Sequence, residues 1–405
     1  MTPPQTPALS LLLGPRASDV LATAVDNAAA GQLHGVRPTA VHVQPSGAAA
    51  VRYAAELRRD DGTRVPDILV ATTGDEIPDG AAVVAGEHLG APVEVGIWRW
   101  LHDPALPALA VAGDGARLAE VLRAAGLTSA TALQLRLRTY RPGQRAVLEV
   151  VEPGTDPPRT WFVKVVRPDA LAALRDRHEL LSPVVPVPAV LTDTPDGLVV
   201  FGRADGAPLR DLLMADEPVP GPAALGALLD ALPAGLLDFP RCRSALERVD
   251  TFAAVLRHTV EPDAPMLAGL DDVVAQLSDP VAGAEETVPV HGDFYEGQLL
   301  ADGGRISGLL DVDTAGPGVR ADDWATLLAH LLTAAMANDR PPVRRYTDAV
   351  REHVRGCLDP AELRRRTAAG LLGLATGPFR QQRPNWAEHT AERIRLAADW
   401  LAGGG

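Results

Sequence analysis

The sequence predicts an α+β chain in which a small strand-rich region is followed by a mostly helical one. Three observations predict it. Between residues 133 and 202, short runs rich in Val, Leu, Phe and Trp are punctuated by Pro and Gly, as strands and turns are. Beyond residue 220, apolar residues recur at helical spacing in segment after segment. Within that helical region a single hairpin pattern stands alone, Gln298-Leu299-Leu300 and 306–310 around Asp302-Gly303-Gly304-Arg305. The boundaries that follow are 1–130, 131–202 and 203–405.

Taken in order, residues 17–30 read as a helix, and 48–59 with 65–73 read as paired strands around Asp60-Asp61-Gly62-Thr63. Residues 98–107 carry Pro104 and Pro107 and read as a linker, followed by a helix over 115–125. His102 and Asp103 lie in that linker without a third group at metal-ligand spacing. Strands are expected over 133–138, 146–151 and 160–166, with a turn at Tyr140-Arg141-Pro142-Gly143-Gln144-Arg145. A helix follows over 169–181 and a buried strand over 198–202, leading into the polar link Gly202-Arg203-Ala204-Asp205-Gly206. Helices are then expected over 222–237, 243–258, 264–278, 321–336, 342–357, 360–375 and 386–401.

The chemistry concentrates around the lone hairpin. His291-Gly292-Asp293 precedes it, Gln298 opens its first strand, and Asp311 and Asp313 follow its second. A hairpin sets Gln298 and Asp311 side by side at its open end, with Asp293 in the loop feeding it. A carboxylate to take a hydroxyl proton, and oxygen ligands for Mg²⁺ on nucleotide phosphates, are what phosphoryl transfer from ATP uses. A second signal is independent. Of 38 Lys plus Arg, Lys164 is the only lysine. Arg replaces Lys readily where only positive charge matters, but not where a compact ammonium must fit against phosphate oxygens. Lys164 sits in the apolar strand 160–166.

These residues resemble the HGDxxxxN and downstream D-x-D/E motifs of the aminoglycoside phosphotransferase family. Gln298 replaces the usual Asn, and the HGDxxxGQ form is similar to the maltokinase and glucosamine-kinase branch. The resemblance implies a two-lobed protein-kinase-like fold, with a small β-rich N-lobe, a mostly helical C-lobe and an N-terminal α+β cap-like extension. It implies ATP and Mg²⁺ as cofactors, Asp293 as catalytic base, and Gln298, Asp311 and Asp313 as metal ligands. His291 and Asp323 would brace the loop; Asp323 is equally explained as an acidic residue in a first helical turn. Lys164, Gly143, Arg145 and the link residues Gly202 and Ala204 would meet the nucleotide. Glu179 would pair with Lys164, with Asp176 as the competitor one turn earlier. Arg380, Gln381, Arg383, Asn385 and Trp386 lie where the sugar-kinase branch has an RPDW-like stretch, and Trp386 suits either a sugar platform or an ordinary anchor.

The expected activity is transfer of the γ-phosphate to a hydroxyl of a sugar or amino sugar. The alternatives are an aminoglycoside antibiotic as acceptor, or a nucleotide-binding pseudokinase. With 405 residues and 46% hydrophobic content, two or three packed domains are expected. A net charge of −14 counts against nucleic-acid and anionic-membrane partners and mildly favours a cationic acceptor. Cys242 and Cys357 form no disulfide or metal pattern, as expected of a cytoplasmic protein. Neither a signal peptide nor a membrane-spanning run is expected, since 9–13 is too short an apolar core.

Overall fold

A computed structural model describes residues 6–27, 31–59, 61–74, 77–261, 264–278, 286–338 and 340–403. Residues 28–30 of the first expected helix, and Asp60 of the first turn, lie outside the described residues. Helices α1 (Pro7–Leu12) and α2 (Ala17–Asn27) precede five strands, β1 (Gln32–Val43), β2 (Ala49–Arg58), β3 (Arg64–Thr73), β4 (Ala82–His88) and β5 (Ala91–Arg99). They form an antiparallel sheet in the order β1-β2-β3-β5-β4. The sequence pattern of β2 explains its place. Ala49, Val51, Tyr53, Ala55 and Leu57 alternate along the strand, all buried, against α1 and α2.

The expected linker over 98–107 is not one. Trp98 and Arg99 end β5, residues Trp100–His102 form a single 3-10 turn, and Leu106 is fully buried. The prolines shape turns, but the leucines around them are core residues. Helices α3 (Leu109–Ala112) and α4 (Gly115–Ala124) continue from it, and the Asp114 carboxylate caps α4 by accepting from the N–H groups of Ala116 and Arg117. Leu106, Leu109, Leu118 and Leu122 pack beneath the second sheet, against Leu148, Val163 and Leu198.

That second sheet contains β6 (Gln134–Arg141), β7 (Arg145–Glu152), β8 (Arg159–Val166), β9 (Val190–Asp193) and β10 (Leu198–Gly202), in the order β6-β7-β8-β10-β9. Helix α5 (Leu171–Leu181) lies between β8 and β9 in sequence. The inner strand β10 is buried along Leu198, Val199, Val200 and Phe201, as its unbroken apolar run requires.

From here helices dominate: α6 (Leu209–Ala215), α7 (Pro222–Asp230), α8 (Val249–Thr259), α9 (Pro265–Leu277), α10 (Arg320–Asn338), α11 (Pro341–Arg355), α12 (Pro360–Ala375), α13 (Gly377–Arg380) and α14 (Trp386–Leu401). Short strands interrupt them. β11 (Ala207–Pro208) pairs with the hairpin β13 (Leu299–Asp302) and β14 (Arg305–Leu309), while β12 (Val288–Val290) pairs with β15 (Gly316–Gly318). The hairpin rests on α10, with Phe294, Leu299, Leu309 and Val312 in one core with Trp324, Leu327, Leu328 and Leu331. No helix among the described residues is long and apolar enough to cross a membrane.

Trp386 makes the packing contact that an ordinary anchor would make. Phe379, 6% exposed, belongs to the core of the first sheet with Leu9, Tyr53 and Leu69. Trp386 sits against it, with ring centroids 4.8 Å apart and nearly perpendicular. Phe379→Ala is expected to destabilise the protein by about 3–5 kcal/mol, the cost typical of deleting a buried Phe side chain. Urea denaturation of the variant beside the wild type measures it.

Candidate active site

The loop before the hairpin is held rigidly from beneath. Asp323, in the first turn of α10 and 1% exposed, accepts from the backbone N–H of His291 at 2.8 Å and of Gly292 at 2.9 Å. Burial pushes its carboxyl above the ordinary value, while those two bonds and Arg320 oppose the shift. The His291 ring is fully buried; Nε2 lies 2.9 Å from the Leu310 carbonyl, and Nδ1 accepts from the Asp293 N–H at 3.2 Å. Only the Nε2–H tautomer makes both bonds. Thr314 Oγ1 donates to the His291 carbonyl at 3.1 Å. Gly292 has φ +79°, and a Cβ there would come within 3.0 Å of both Cys242 Sγ and the Thr314 carbonyl. A side chain there would be strained and would press on Cys242 and Thr314.

Asp293 stands at the top of this loop. Burial pushes its carboxyl above the ordinary value and the negative Asp311 adds to that, while a hydrogen bond from Gln298 and the charge of Arg141 pull the other way. Gln298 Nε2 lies 3.4 Å from Asp293 Oδ2 and 3.3 Å from the Tyr295 hydroxyl. The Gln298 carbonyl accepts from Leu310 N–H at 2.8 Å, which places Asp311 beside it. Asp311 has φ 54°, a left-handed conformation unusual for a residue with a side chain.

The second sheet meets the segment after the hairpin through charge. Lys164 Nζ, on β8, donates to Asp311 at 3.0 Å and to Asp313 at 2.6 Å. Arg145, at the start of β7, reaches the same pair, at 2.6 Å to Asp311 and 3.1 Å to Asp313. Burial alone would raise the Asp311 carboxyl, but Lys164 and Arg145 lower it to about 2. Both carboxylates thus converge on one point, bridged by the same two cations. With the Gln298 carboxamide they form a hard-oxygen donor set that fits Mg²⁺. No three His, Cys, Asp or Glu side chains among the described residues form a metal cage by themselves. Such a set suits an ion that is shared with nucleotide phosphates.

Glu179 is not the partner of Lys164. Leu171, Leu174, His178 and Leu181 are the buried stripe of α5, and Glu179 falls on its exposed side, as does Asp176. The inward-facing charge on this helix is Arg177, whose Nε donates to the Ala315 carbonyl at 2.8 Å. The helical period could have found this, since position 179 is out of phase with 171, 174, 178 and 181.

The turn between β6 and β7 is pinned by a residue that the sequence left without a role. Gly143 has φ +69°, and its N–H donates to Asp103 Oδ2 at 2.8 Å. The same oxygen accepts from the Tyr140 hydroxyl at 2.7 Å, which in turn accepts from Trp98 Nε1 at 3.1 Å. Arg52, on β2, donates to the Tyr140 carbonyl at 2.9 Å. No local spacing links Asp103 to Tyr140 and Gly143, so only the fold reveals them. At the polar link, the Gly202 N–H is committed to the Ala189 carbonyl at 2.9 Å and is not available to a ligand. Of the five residues expected near an acceptor, Gln381 and Arg383 bond to each other at 2.8 Å, Asn385 starts α14 at φ 55°, and Trp386 packs on Phe379. Arg380 alone lies within electrostatic reach of Asp293.

The sequence profile of the phosphotransferase enzyme family (APH) matches residues 148–364, which hold Lys164, Asp293, Gln298, Asp311 and Asp313. The chain belongs to that family. This phosphotransferase is therefore an enzyme that uses ATP with Mg²⁺ and an alcohol group of a small molecule as acceptor. A search of the curated proteins finds no match. Solved structures similar to it include a thermostable mutant of aminoglycoside phosphotransferase APH(4)-Ia in apo form, at 18% identity and a TM-score of 0.47, over 70% of this chain and 98% of that one. The macrolide 2′-phosphotransferase MphH from Brachybacterium faecium aligns at 18% identity and a TM-score of 0.43, over 68% and 97%. Aminoglycoside 2′-phosphotransferase-IIIa, as its GDP complex, aligns at 15% and 0.45, over 71% and 98%. Likeness this distant says nothing about the acceptor of this phosphotransferase.

Asp103→Ala leaves the Tyr140 hydroxyl and the Gly143 N–H without their acceptor, at a cost of about 1–3 kcal/mol for each buried group. The expected outcome is a lowered melting temperature and a raised KM for ATP, read by thermal denaturation and steady-state kinetics.

Proposed function

We propose that this phosphotransferase transfers the γ-phosphate of ATP to a hydroxyl of a polyhydroxylated, sugar-type small molecule, with Asp293 as base. One observation carries the reading: Asp293 stands on a loop fixed by Asp323 and His291, next to the point where Lys164, Arg145, Asp311 and Asp313 converge. In this reading Asp293 orients the acceptor hydroxyl and takes its proton as the oxygen attacks. Lys164 leaves Asp311 and Asp313 for the α- and β-phosphates. Gln298, Asp311 and Asp313 hold Mg²⁺, which when bound offsets the charge of the phosphates. Gln298 serves through Oε1, because its Nε2 is turned to Asp293 and Tyr295.

Residues 131–202 act as the nucleotide lobe, 203–405 as the lobe of the catalytic loop and acceptor, and 1–130 as a cap holding the Gly143 turn through Asp103. The adenine is read by backbone near Ala204. Arg145 and the Gly143 turn close over the phosphates. Catalysis is mainly positioning and charge neutralisation. The HGDxxxGQ sequence supports a sugar acceptor. An aminoglycoside acceptor is the second reading, favoured by the net charge of −14.

Asp293→Asn is expected to lower turnover on the order of 10²–10⁴-fold, the range of general-base contributions, with Mg·ATP binding retained. Coupled ADP release and calorimetric ATP titration read the two quantities, and undiminished turnover in the variant would rule out the assignment. Lys164→Ala is expected to weaken ATP binding as well as turnover in the same pair of measurements.

A further inference from the structure

Two residues of the loop between Asp293 and Gln298 are engaged away from the site. Phe294 is fully buried in the helical core, and Glu296 accepts from Arg210 at 2.7 Å. Tyr295, between them, turns toward the site. Its hydroxyl lies 3.3 Å from Gln298 Nε2, the atom that also reaches Asp293 Oδ2 at 3.4 Å. The ring is held on three sides. It stacks on His330 with centroids 4.0 Å apart and planes 18° from parallel. Its edge closes on Gly297, where a Cβ would lie 2.5 Å from Tyr295 Cε2. Arg210, fixed by Glu296, brings its Cζ to 5.8 Å from the ring centroid.

The helix that braces the loop also places His330. On α10, His330 stands seven residues after Asp323, close to two turns, so both side chains leave the same face. Asp323 holds the His291 and Gly292 N–H groups, while His330 supports Tyr295. Burial first, then Arg210, Arg393 and Arg380, holds His330 down to about 3, so it is a neutral platform at ordinary pH.

A glutamine ligand needs such a brace more than an asparagine does. Its extra methylene adds a rotor whose freedom is lost on ordering. A half-turn of the terminal amide also exchanges Oε1 for Nε2, and only the oxygen can ligate Mg²⁺. An ionised Asp293 only accepts, so the amide turns Nε2 toward it, and the phenol oxygen takes the second Nε2 hydrogen. We propose that Tyr295 is a positioning residue for Gln298. Its hydroxyl, carried on the His330 stack and admitted by Gly297, fixes the carboxamide so that Oε1 is presented to the metal. The inference rests on the proposed kinase function, in which Gln298 is a ligand of the Mg²⁺ bound with ATP. Tyr295 acts through Gln298.

The test uses the full chain with Tyr295→Phe, Gln298→Ala and the double variant. Electron paramagnetic resonance follows titration with Mn²⁺·ADP, calorimetry follows ADP binding with metal chelated away, and thermal denaturation gives the melting temperature. Tyr295→Phe keeps the ring and removes one hydrogen-bond partner, so affinity for Mn²⁺·ADP is expected to fall about three- to tenfold. Metal-free ADP binding and the melting temperature should hold, and the double variant should bind Mn²⁺·ADP no more weakly than Gln298→Ala. Wild-type affinity in Tyr295→Phe, an equal loss of metal-free ADP binding, or a further loss in the double variant would overturn the inference. ADP-release kinetics with glucose, glucosamine and kanamycin separate it from the reading beneath it. A raised acceptor KM in Tyr295→Phe with Mn²⁺·ADP binding unchanged would make Tyr295 an acceptor contact and overturn the brace. Wild-type Mn²⁺·ADP affinity in Gln298→Ala would remove Gln298 from the metal site, and the inference with it. Metal-specific loss in both single variants, without Asp293-dependent transfer to any of the three compounds, would support the brace and count against the kinase reading.

Discussion

The contact on which the active site depends is the four-residue ion cluster of Lys164, Arg145, Asp311 and Asp313. Its cations come from neighbouring strands of one sheet and its anions from the segment after the hairpin, so it ties the strand-rich region to the helical region at a single point. Each side chain in it is at least three-quarters withdrawn from water. Partly buried charges are tolerable only when paired, and removing one member strands its partner. The cluster therefore fixes the approach of the two regions while holding Asp311 in its ionised form. It also explains the single lysine. An ammonium touching two carboxylates at 2.6 and 3.0 Å occupies less room than a second guanidinium beside that of Arg145.

The catalytic loop depends on a second kind of constraint, which is steric. Asp323 binds two successive N–H groups, and Gly292, which carries the second, has a left-handed conformation in which a Cβ would crowd Cys242 and Thr314. Position, more than chemical identity, is what the loop supplies. Asp293 is set at the top of that loop by the bonds beneath it.

Much of this was legible because it was local. Strand alternation in β2, the apolar run of β10, the hairpin and the helix periods lie within windows of ten to twenty residues, where pattern determines structure. The motif residues around Asp293 and Asp311 are close in sequence and the hairpin closes the remaining distance. Where sequence reading failed, the cause was contact across the chain. Trp386 read equally as a platform or an anchor because Phe379 and the first sheet could not be seen beside it. Residues 98–107 read as a linker because their prolines were visible and their burial was not. Asp103 read as idle because Tyr140 and Gly143 are its partners only in the fold. Glu179 was a different failure, of phase, since its helix turns another face inward.

The seating of Phe379 and Trp386 in the core of the first sheet has a consequence for biosynthesis. Strands β1 to β5 leave the ribosome well before Phe379 and Trp386, yet part of their core is supplied by those two residues. N-terminal units commonly fold as they emerge. This one must hold an unfilled apolar site until Phe379 and Trp386 have been made, so a ribosome stalled in the helical region before them would display a nascent chain whose first sheet is still open.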